Sequence, residues 1–424
     1  MSYLRFGLFS FLLLAAVPVV KSQPGRIDAV ANGIYTVRMA VDGDVAALPV
    51  LHLGGNEVLE VSFDELTHEY RRYTYRIEHC DADGEPTSEL FENDYVQSTQ
   101  EAVVIDDYTP STNTTVLYTH YRFSLPNVDM RPLLSGNYRI IVEAENDDGE
   151  HGVVFVAYFA VLDMKASLRA SCTTNTDIDY NQSHQQLSLR LDLSNLPLRD
   201  PGSEVKVLVM QNRRLDNAVR SPKPTMQNGN ILIWDHAREL IFPAGNEYRK
   251  MEMLSTRYPG LHGDNVRWFD PLFHYTLMED SPRRNYLYDE DRDGLSVVRW
   301  ESSGDADTEA DYVMTHFTLL SPRLQEKDVY LSGRWAVPEG SDKYKLTYNE
   351  QAGAYEGAVL LKTGYYNYLY LTSGQGSSYS GSTAEMEGNY FQTENEYSIL
   401  AYYRPVGGRY WQLVASISPT YRPK

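Results

Sequence analysis

LSLRLDLS, Leu187–Ser194, alternates leucine with a polar residue four times in succession. A repeat of two puts Leu187, Leu189, Leu191 and Leu193 on one face and Ser188, Arg190, Asp192 and Ser194 on the other. That is the pattern of a β-strand with one buried and one wet face, the usual condition of antiparallel sheets. The same period recurs on both sides of it. VLEVSFDE (Val58–Glu65) sets Leu59, Val61 and Phe63 against Glu60, Ser62 and Asp64, and YTYRIEHC (Tyr73–Cys80) sets Tyr73, Tyr75 and Ile77 against Thr74, Arg76 and Glu78. YEGAVLLK (Tyr355–Lys362) places Tyr355, Val359 and Leu361 on one side. No long stretch carries the 3.6-residue period of an amphipathic helix, so the chain is expected to be all-β.

Turn chemistry separates these runs at the spacing of β-sandwiches. DADGEP at Asp83 and Gly84, NDDGEHG at Asp148 and Gly149, and QNGN at Asn228 and Gly229 each offer positions that tolerate a positive φ. Divisions are expected where VVFVAYFAVL ends, near Asp163–Ala170, and at SPRLQEK, Ser321–Lys327. They give β-sandwich domains over 23–163, 164–322 and 323–424, three consecutive immunoglobulin-like units.

Residues 1–22 read as a cleaved signal peptide: Arg5, an apolar run from Phe6 to Val20, and small residues at the cleavage point after Ser22. No cysteine follows the run directly, so no lipid anchor is expected, and membrane contact would come only through a partner. Removing this segment, which holds Arg5 and Lys21 and no acid, moves the formal net charge from -20 to -22. An acidic surface of this kind favours solubility and repels phosphate backbones, which excludes nucleic acid as a partner. Whether Cys80 and Cys172, the two cysteines, pair is left open by their spacing.

Chemistry-bearing motifs are scarce. DEDRDG, Asp289–Gly294, has the first half of a calcium-binding loop, but Val297 and Trp300 stand where the ninth-position and closing ligands belong. It is expected to be a hairpin turn between NYLY and LSVVRW. His79, Cys80, Asp81 and Asp83 crowd together, yet strand geometry sends His79 and Cys80 to opposite faces and no second ligand cluster accompanies them. G-x-S-x-G, H-E-x-x-H and G-x-x-x-x-G-K are all missing, and the glycine–serine stretch GQGSSYSGS (Gly374–Ser382) leads into no helix. No catalytic residue, metal ligand or cofactor is assigned, and the chain is read as no enzyme.

Four stretches resemble the type IX secretion system plug proteins, a family first catalogued as a domain of unknown function. They are YTYRIEHCDADGEPTSELFENDYV (Tyr73–Val96), YTHYRFSLPNVDMRPLLSGNYRIIV (Tyr118–Val142), FPAGNEYRKMEML (Phe242–Leu254) and GNYFQTENEYSILAYYRPVGGRYWQLVA (Gly388–Ala415). The resemblance implies a periplasmic, non-enzymatic subunit that docks on the periplasmic mouth of a large outer-membrane translocon barrel. There it would occlude the pore while cargo machinery is not engaged, as a monomer held to the membrane through that partner. DEDRDG is longer and more acidic here than the family's turn, and the resemblance carries no docking residue across.

Contacts are therefore sought in residue type. GLHGDNVRWFDPLFHY (Gly260–Tyr275) reads as a loop-rich segment, either a core corner or a partner-facing wedge that exposes Arg267, Trp268 and Phe269, residues favoured as interface anchors. In LKTGYYNYLYLTSG (Leu361–Gly374), alternation sets Tyr366, Tyr368 and Tyr370 on one face and Leu369 and Leu371 on the other. The leucines mark the core side, which leaves the tyrosine stripe as a wet face, an inter-domain contact or a partner surface. An alternative class is an exported carbohydrate-binding protein, because VYLSGRWAVPEG through GYYNYLYL resembles early-set immunoglobulin-like modules that bind glucans. That reading needs Trp335, Tyr366 and Tyr368 exposed for stacking.

Overall fold

The computed structural model describes residues 23–423 apart from 88, 146–150, 303 and 377. The expected signal peptide and the turn at Asp148 and Gly149 lie outside the described residues. The chain is all-β, built of several sheets packed as sandwiches, with only short helical turns.

In the first sandwich, strands Ile34–Val41, Leu59–Glu65, Thr119–Leu125 and Asp107–Pro110 form one sheet in that order. Tyr73–Cys80, Gly136–Glu145 and His151–Leu162 form the core of the other. Between them lie Leu59, Val61, Phe63, Tyr73, Tyr75, Ile77, Ile140 and Phe155, so the alternation read in VLEVSFDE and YTYRIEHC picks the inward faces correctly. Gly136 starts its strand at φ +135 with a Cβ position only 2.5 Å from His79 Nε2 and 2.7 Å from the Trp411 carbonyl, so glycine is required at this crossing.

The second sandwich pairs Ser167–Thr173, His184–Asp192, Ile231–Trp234 and Met226–Asn228 in one sheet. Leu187, Leu189, Leu191 and Leu193 all face its core, as their spacing predicts. The opposing sheet is made from distant chain: Val205–Gln211 pairs antiparallel with Asn395–Tyr403, which pairs in turn with Gln412–Ile417. Leu162 pairs with Leu413, so this sheet continues into the first sandwich and eleven strands run as one. Its reverse face is buried too, by Ala160, Leu162, Leu208, Met210, Leu400 and Trp411.

The third sandwich is a nine-stranded sheet folded over on itself, ordered Arg249–Met253, Gly364–Gly374, Lys327–Ser332, Lys345–Asn349, Ala354–Lys362, Tyr312–Leu320, Leu272–Leu277 and Gly263–Phe269, with Ser296–Val298 beside Gly364–Gly374. The division expected at 322/323 falls inside this sheet, whose strands Tyr312–Leu320 and Ala354–Lys362 pair along their length. The sandwiches are therefore not consecutive. The third is inserted in the second, with the insertion ends together: Thr393 Oγ1 donates to the Gly245 carbonyl at 2.9 Å and Asn395 Nδ2 to that of Ala244 at 2.9 Å.

Candidate functional site

Gly260–Tyr275 is no loop. It folds as a hairpin of Gly263–Phe269 and Leu272–Leu277 turning at Asp270–Pro271, because the pairs Arg267–His274 and Trp268–Phe273 keep register up to the tip. Arg267, Trp268 and Phe269 are exposed there, the tryptophan by 47% and the phenylalanine by 55%. Trp268 rests edge-on against Phe273 at 4.9 Å and Phe269 edge-on against His274 at 5.1 Å, so both rings are held while about half of each faces water. Tyr258, Leu261 and Met278 are exposed beside the same sheet edge. This is an exposed apolar rim of the sort that interfaces use.

The tyrosine stripe is not part of it. Tyr366, Tyr368 and Tyr370 are buried at 4%, 0% and 0% and lie in the core of the third sandwich. Leu369 and Leu371 are buried as well, on the reverse face against Tyr248. The strand is covered on both sides, so leucine does not mark a unique core face. Each tyrosine hydroxyl has an internal acceptor: Tyr368 and Tyr370 donate to Asp280 at 2.8 and 2.9 Å, and Tyr366 to the Lys362 carbonyl at 2.5 Å. Burial, reinforced by the Asp280 carboxylate, pushes the Tyr368 and Tyr370 phenols well above their ordinary value. Trp335 is half-buried against the same core and donates to the Asn367 carbonyl at 2.8 Å. The stacking platform that the glucan reading requires is thus interior.

Asp280 belongs to a charge network that spacing does not reveal. Arg249 bridges it at 2.7 Å and Glu387 at 3.1 Å, and Arg283 meets Glu387 at 2.7 Å. A second network ties the first sandwich to the third. Asp64, on the face of VLEVSFDE read as wet, is fully buried and accepts from Lys362 Nζ, His120 Nδ1 and Tyr312 Oη, each at 2.6 Å. Lys362 is equally buried and also donates to the Asp307 carbonyl at 2.6 Å, while Arg38 pairs with the Asp307 carboxylate. Burial alone would raise the Asp64 carboxyl, but the Lys362 ammonium and His120 hold it below its ordinary value. Asp311 adds two bonds to the backbone N–H groups of Thr115 and Val116, at 2.8 and 3.0 Å. A cavity of about 790 Å³ lies at this junction, lined by Arg38 of the first sandwich, Arg214 of the second and Tyr366 of the third.

DEDRDG is not a hairpin turn between two strands, since NYLY forms no strand. Tyr286 instead donates to Glu247 at 2.7 Å and to the Gln392 carbonyl at 3.1 Å. Asp291 accepts from the Tyr248 and Asp293 N–H groups, and burial raises it to about 6. Burial and the neighbouring Asp291 raise Asp293 to about 8. Among the described residues no group of three or more His, Cys, Asp or Glu is arranged to hold a metal. His79 bonds Thr87 Oγ1 at 2.9 Å and the Ser135 carbonyl at 3.2 Å, and burial lowers it to about 4, as for a packed neutral ring. Cys80 and Cys172 do not bond to each other.

The outer face of the sheet that bears the hairpin forms an open groove of about 1130 Å³. At its centre His274 Nδ1 and His316 Nε2 lie 2.7 Å apart with the rings stacked, on parallel strands. Arg267 and Phe269 close one end and Thr347 and Glu356 the other. Sequence reading missed both histidines because they stand 42 residues apart.

Residues 34–163 match the family described as type 9 secretion system plug protein 1st domain. A crystal structure of a hypothetical protein from Parabacteroides merdae ATCC 43184 is similar over nearly the whole chain, with 41% identity, a TM-score of 0.90, and 95% of this chain and 100% of that one covered. An alignment to dimeric latent PorU from Porphyromonas gingivalis has 10% identity and a TM-score of 0.15, covers 92% of this chain and 34% of that one, and carries no argument. No curated protein matches.

Proposed function

We propose, for a chain that belongs to the family of the Parabacteroides merdae protein and carries the first domain of type 9 secretion system plug proteins, a role as a plug subunit in type IX secretion. In this reading it sits in the periplasm as a monomer, docks on the periplasmic mouth of the outer-membrane translocon barrel and occludes the pore while cargo machinery is not engaged. The observation that carries the reading is the family match over residues 34–163, most of the first sandwich. The action is steric and needs no catalytic group.

The physical requirements of such a role are met by what the residues build. A body that closes a lumen wide enough for folded cargo must hold its shape, and the buried Asp64–Lys362 and Arg249–Glu387 networks tie distant chain segments together. Docking needs a few exposed anchors on a rigid frame. The hairpin tip with Arg267, Trp268 and Phe269 supplies them, whereas Tyr366, Tyr368 and Tyr370 cannot reach a partner.

The test is affinity purification of the tagged protein from detergent-solubilised outer membranes. A large barrel protein is expected to co-purify, and Trp268→Ala with Phe269→Ala is expected to reduce its recovery about tenfold or more, the effect of losing one anchor worth roughly 1.4 kcal/mol. Recovery of no barrel protein would sink the reading. Undiminished recovery with the double variant would remove the hairpin from the interface.

A further inference from the structure

We propose that the groove on the outer face of the third sandwich binds a glycan strand of the cell wall. The inference rests on the envelope location of the plug reading, and it assigns to the chain a second ligand whose groove shares Arg267 and Phe269 with the docking tip.

The chemistry of the groove selects the ligand class. Its floor is the face of a sheet, which offers side chains and no free backbone groups. Peptides that add to sheets use an edge, where main-chain N–H and C=O groups are available. The lining also lacks aliphatic pockets for peptide side chains, since Ala358 is its largest aliphatic group. What it presents are short polar groups that both donate and accept, such as Thr347, and the stacked His274–His316 pair. Arg267 stands at one end and Glu350 and Glu356 at the other, so the groove carries both signs with a slight acidic excess. A polyanion would find one cation and two opposing carboxylates, Glu350 and Glu356. An extended, largely uncharged ligand with many hydroxyl and amide groups matches this set.

Phe269 supplies the one exposed aromatic face, 55% open, at the end where Arg267 also stands. A sugar ring lying on it would have its C–H face against the phenyl ring. Arg267 would then be placed to donate to hydroxyl or N-acetyl oxygens of the strand, and the groove's volume of about 1130 Å³ leaves room for further sugar units across the histidine pair. In such sites a few fixed polar groups set orientation and specificity. Here the fixing is done by strand register, because Thr276 pairs with His316 and His316 with Ala358 across three neighbouring strands.

The experiment is co-sedimentation of the mature full-length protein with purified cell-wall sacculi, followed by titration with chitohexaose and with cellohexaose. The protein is expected to sediment with sacculi and to bind chitohexaose in preference to cellohexaose. His316→Ala combined with Thr347→Ala is expected to weaken both about tenfold, the loss of roughly one to two hydrogen bonds. Thr347→Val, at an exposed position, removes a donor and acceptor while leaving the histidines in place, and weakens binding in the same direction should the first variant disturb the sheet. Absence of sedimentation, equal affinity for cellohexaose, or undiminished sedimentation of folded groove variants would overturn the assignment. Barrel recovery in the pulldown is read separately. Its loss with intact sacculus binding would count against the plug reading alone, and the reverse against the glycan site alone.

Discussion

Replacing Asp64 by Asn is expected to cost about 3–5 kcal/mol, the range for removing one partner from a buried ion pair. The value follows from what remains. Lys362, with no exposed side-chain surface, would keep only the Asp307 carbonyl as a strong acceptor, and an ammonium so placed carries an uncompensated desolvation cost. His120 and Tyr312 would lose their charged acceptor at the same time. Taking out both charges with Asp64→Asn and Lys362→Met should cost less than the sum of the single changes, with a coupling on the order of 1–3 kcal/mol. Urea unfolding followed by tryptophan fluorescence measures all four proteins. The pH dependence has a definite sign. Because Asp64 is held below its ordinary value, its contribution is complete above about pH 4, where the unfolded carboxyl is ionised, and is lost as pH falls through the folded value. The gap between parent and Asp64→Asn should therefore close on acidification below about pH 4. A single variant within about 1 kcal/mol of the parent at pH 7, or a coupling near zero, would refute the argument that this pair locks the two sandwiches.

Two further outcomes are expected. Asp293, raised to about 8 by burial and by Asp291, is a group whose folded form prefers the proton, so it costs stability increasingly as pH rises from the unfolded value of about 4 towards 8. Asp293→Asn, which suits the φ of 49° at that position, should then stabilise by up to about 3 kcal/mol more at pH 8 than at pH 5, and equal gains in thermal melts at the two pH values would contradict it. Ending the chain after Glu394 removes Tyr397, Ile399, Ala401 and Val414 from the second sandwich's core and should abolish its folding, whereas excising 246–392 joins ends that already touch and should leave a folded protein. Limited proteolysis distinguishes the two, and a truncated chain as resistant as the parent would refute the insertion topology.

The strands were legible because their faces are set locally. Leu187 to Leu193 alternate and all four leucines are core, as are Leu59, Val61 and Phe63. What failed was the other face. Asp64 and Lys362 occupy positions that alternation assigns to water, and each is buried because a second sandwich lies on that face, brought there by chain 298 residues away. A period of two reports the strand and one of its neighbours, and it is silent about a third layer. The tyrosine stripe failed for the same reason in reverse. When both faces are covered, Leu369 and Tyr368 are equally interior, and the hydroxyls that seemed to need water find Asp280 instead. Arg267, Trp268 and Phe269 are exposed as expected, but the flanking glycine, histidine and proline disguised the hairpin that holds them. The insertion left no mark in composition, because it depends on Val205–Gln211 pairing with Asn395–Tyr403 rather than with anything near it.

These long-range joins give the molecule a property that three sandwiches on a string would not have. The first and second share one continuous sheet through Leu162 and Leu413, with Ala160, Met210 and Leu400 packed behind it. The second and third are joined by two chain crossings and by Arg214, which pairs with Asp216 at 2.7 Å and donates to the Gly381 carbonyl at 2.6 Å. The third returns to the first through Asp64, Lys362, Tyr312 and Asp311. Every pair is tied, so rotation of one sandwich about another must break a sheet, a buried ion pair or buried hydrogen bonds. Each such break costs several kcal/mol, on the order of the whole stability of a domain. Linked domains move by default unless the contact between them is extensive and apolar or held by buried polar bonds. Here all three contacts are of that kind among the described residues, and a closed triangle of ties opposes rotation, which is what the proposed plug role asks of its body.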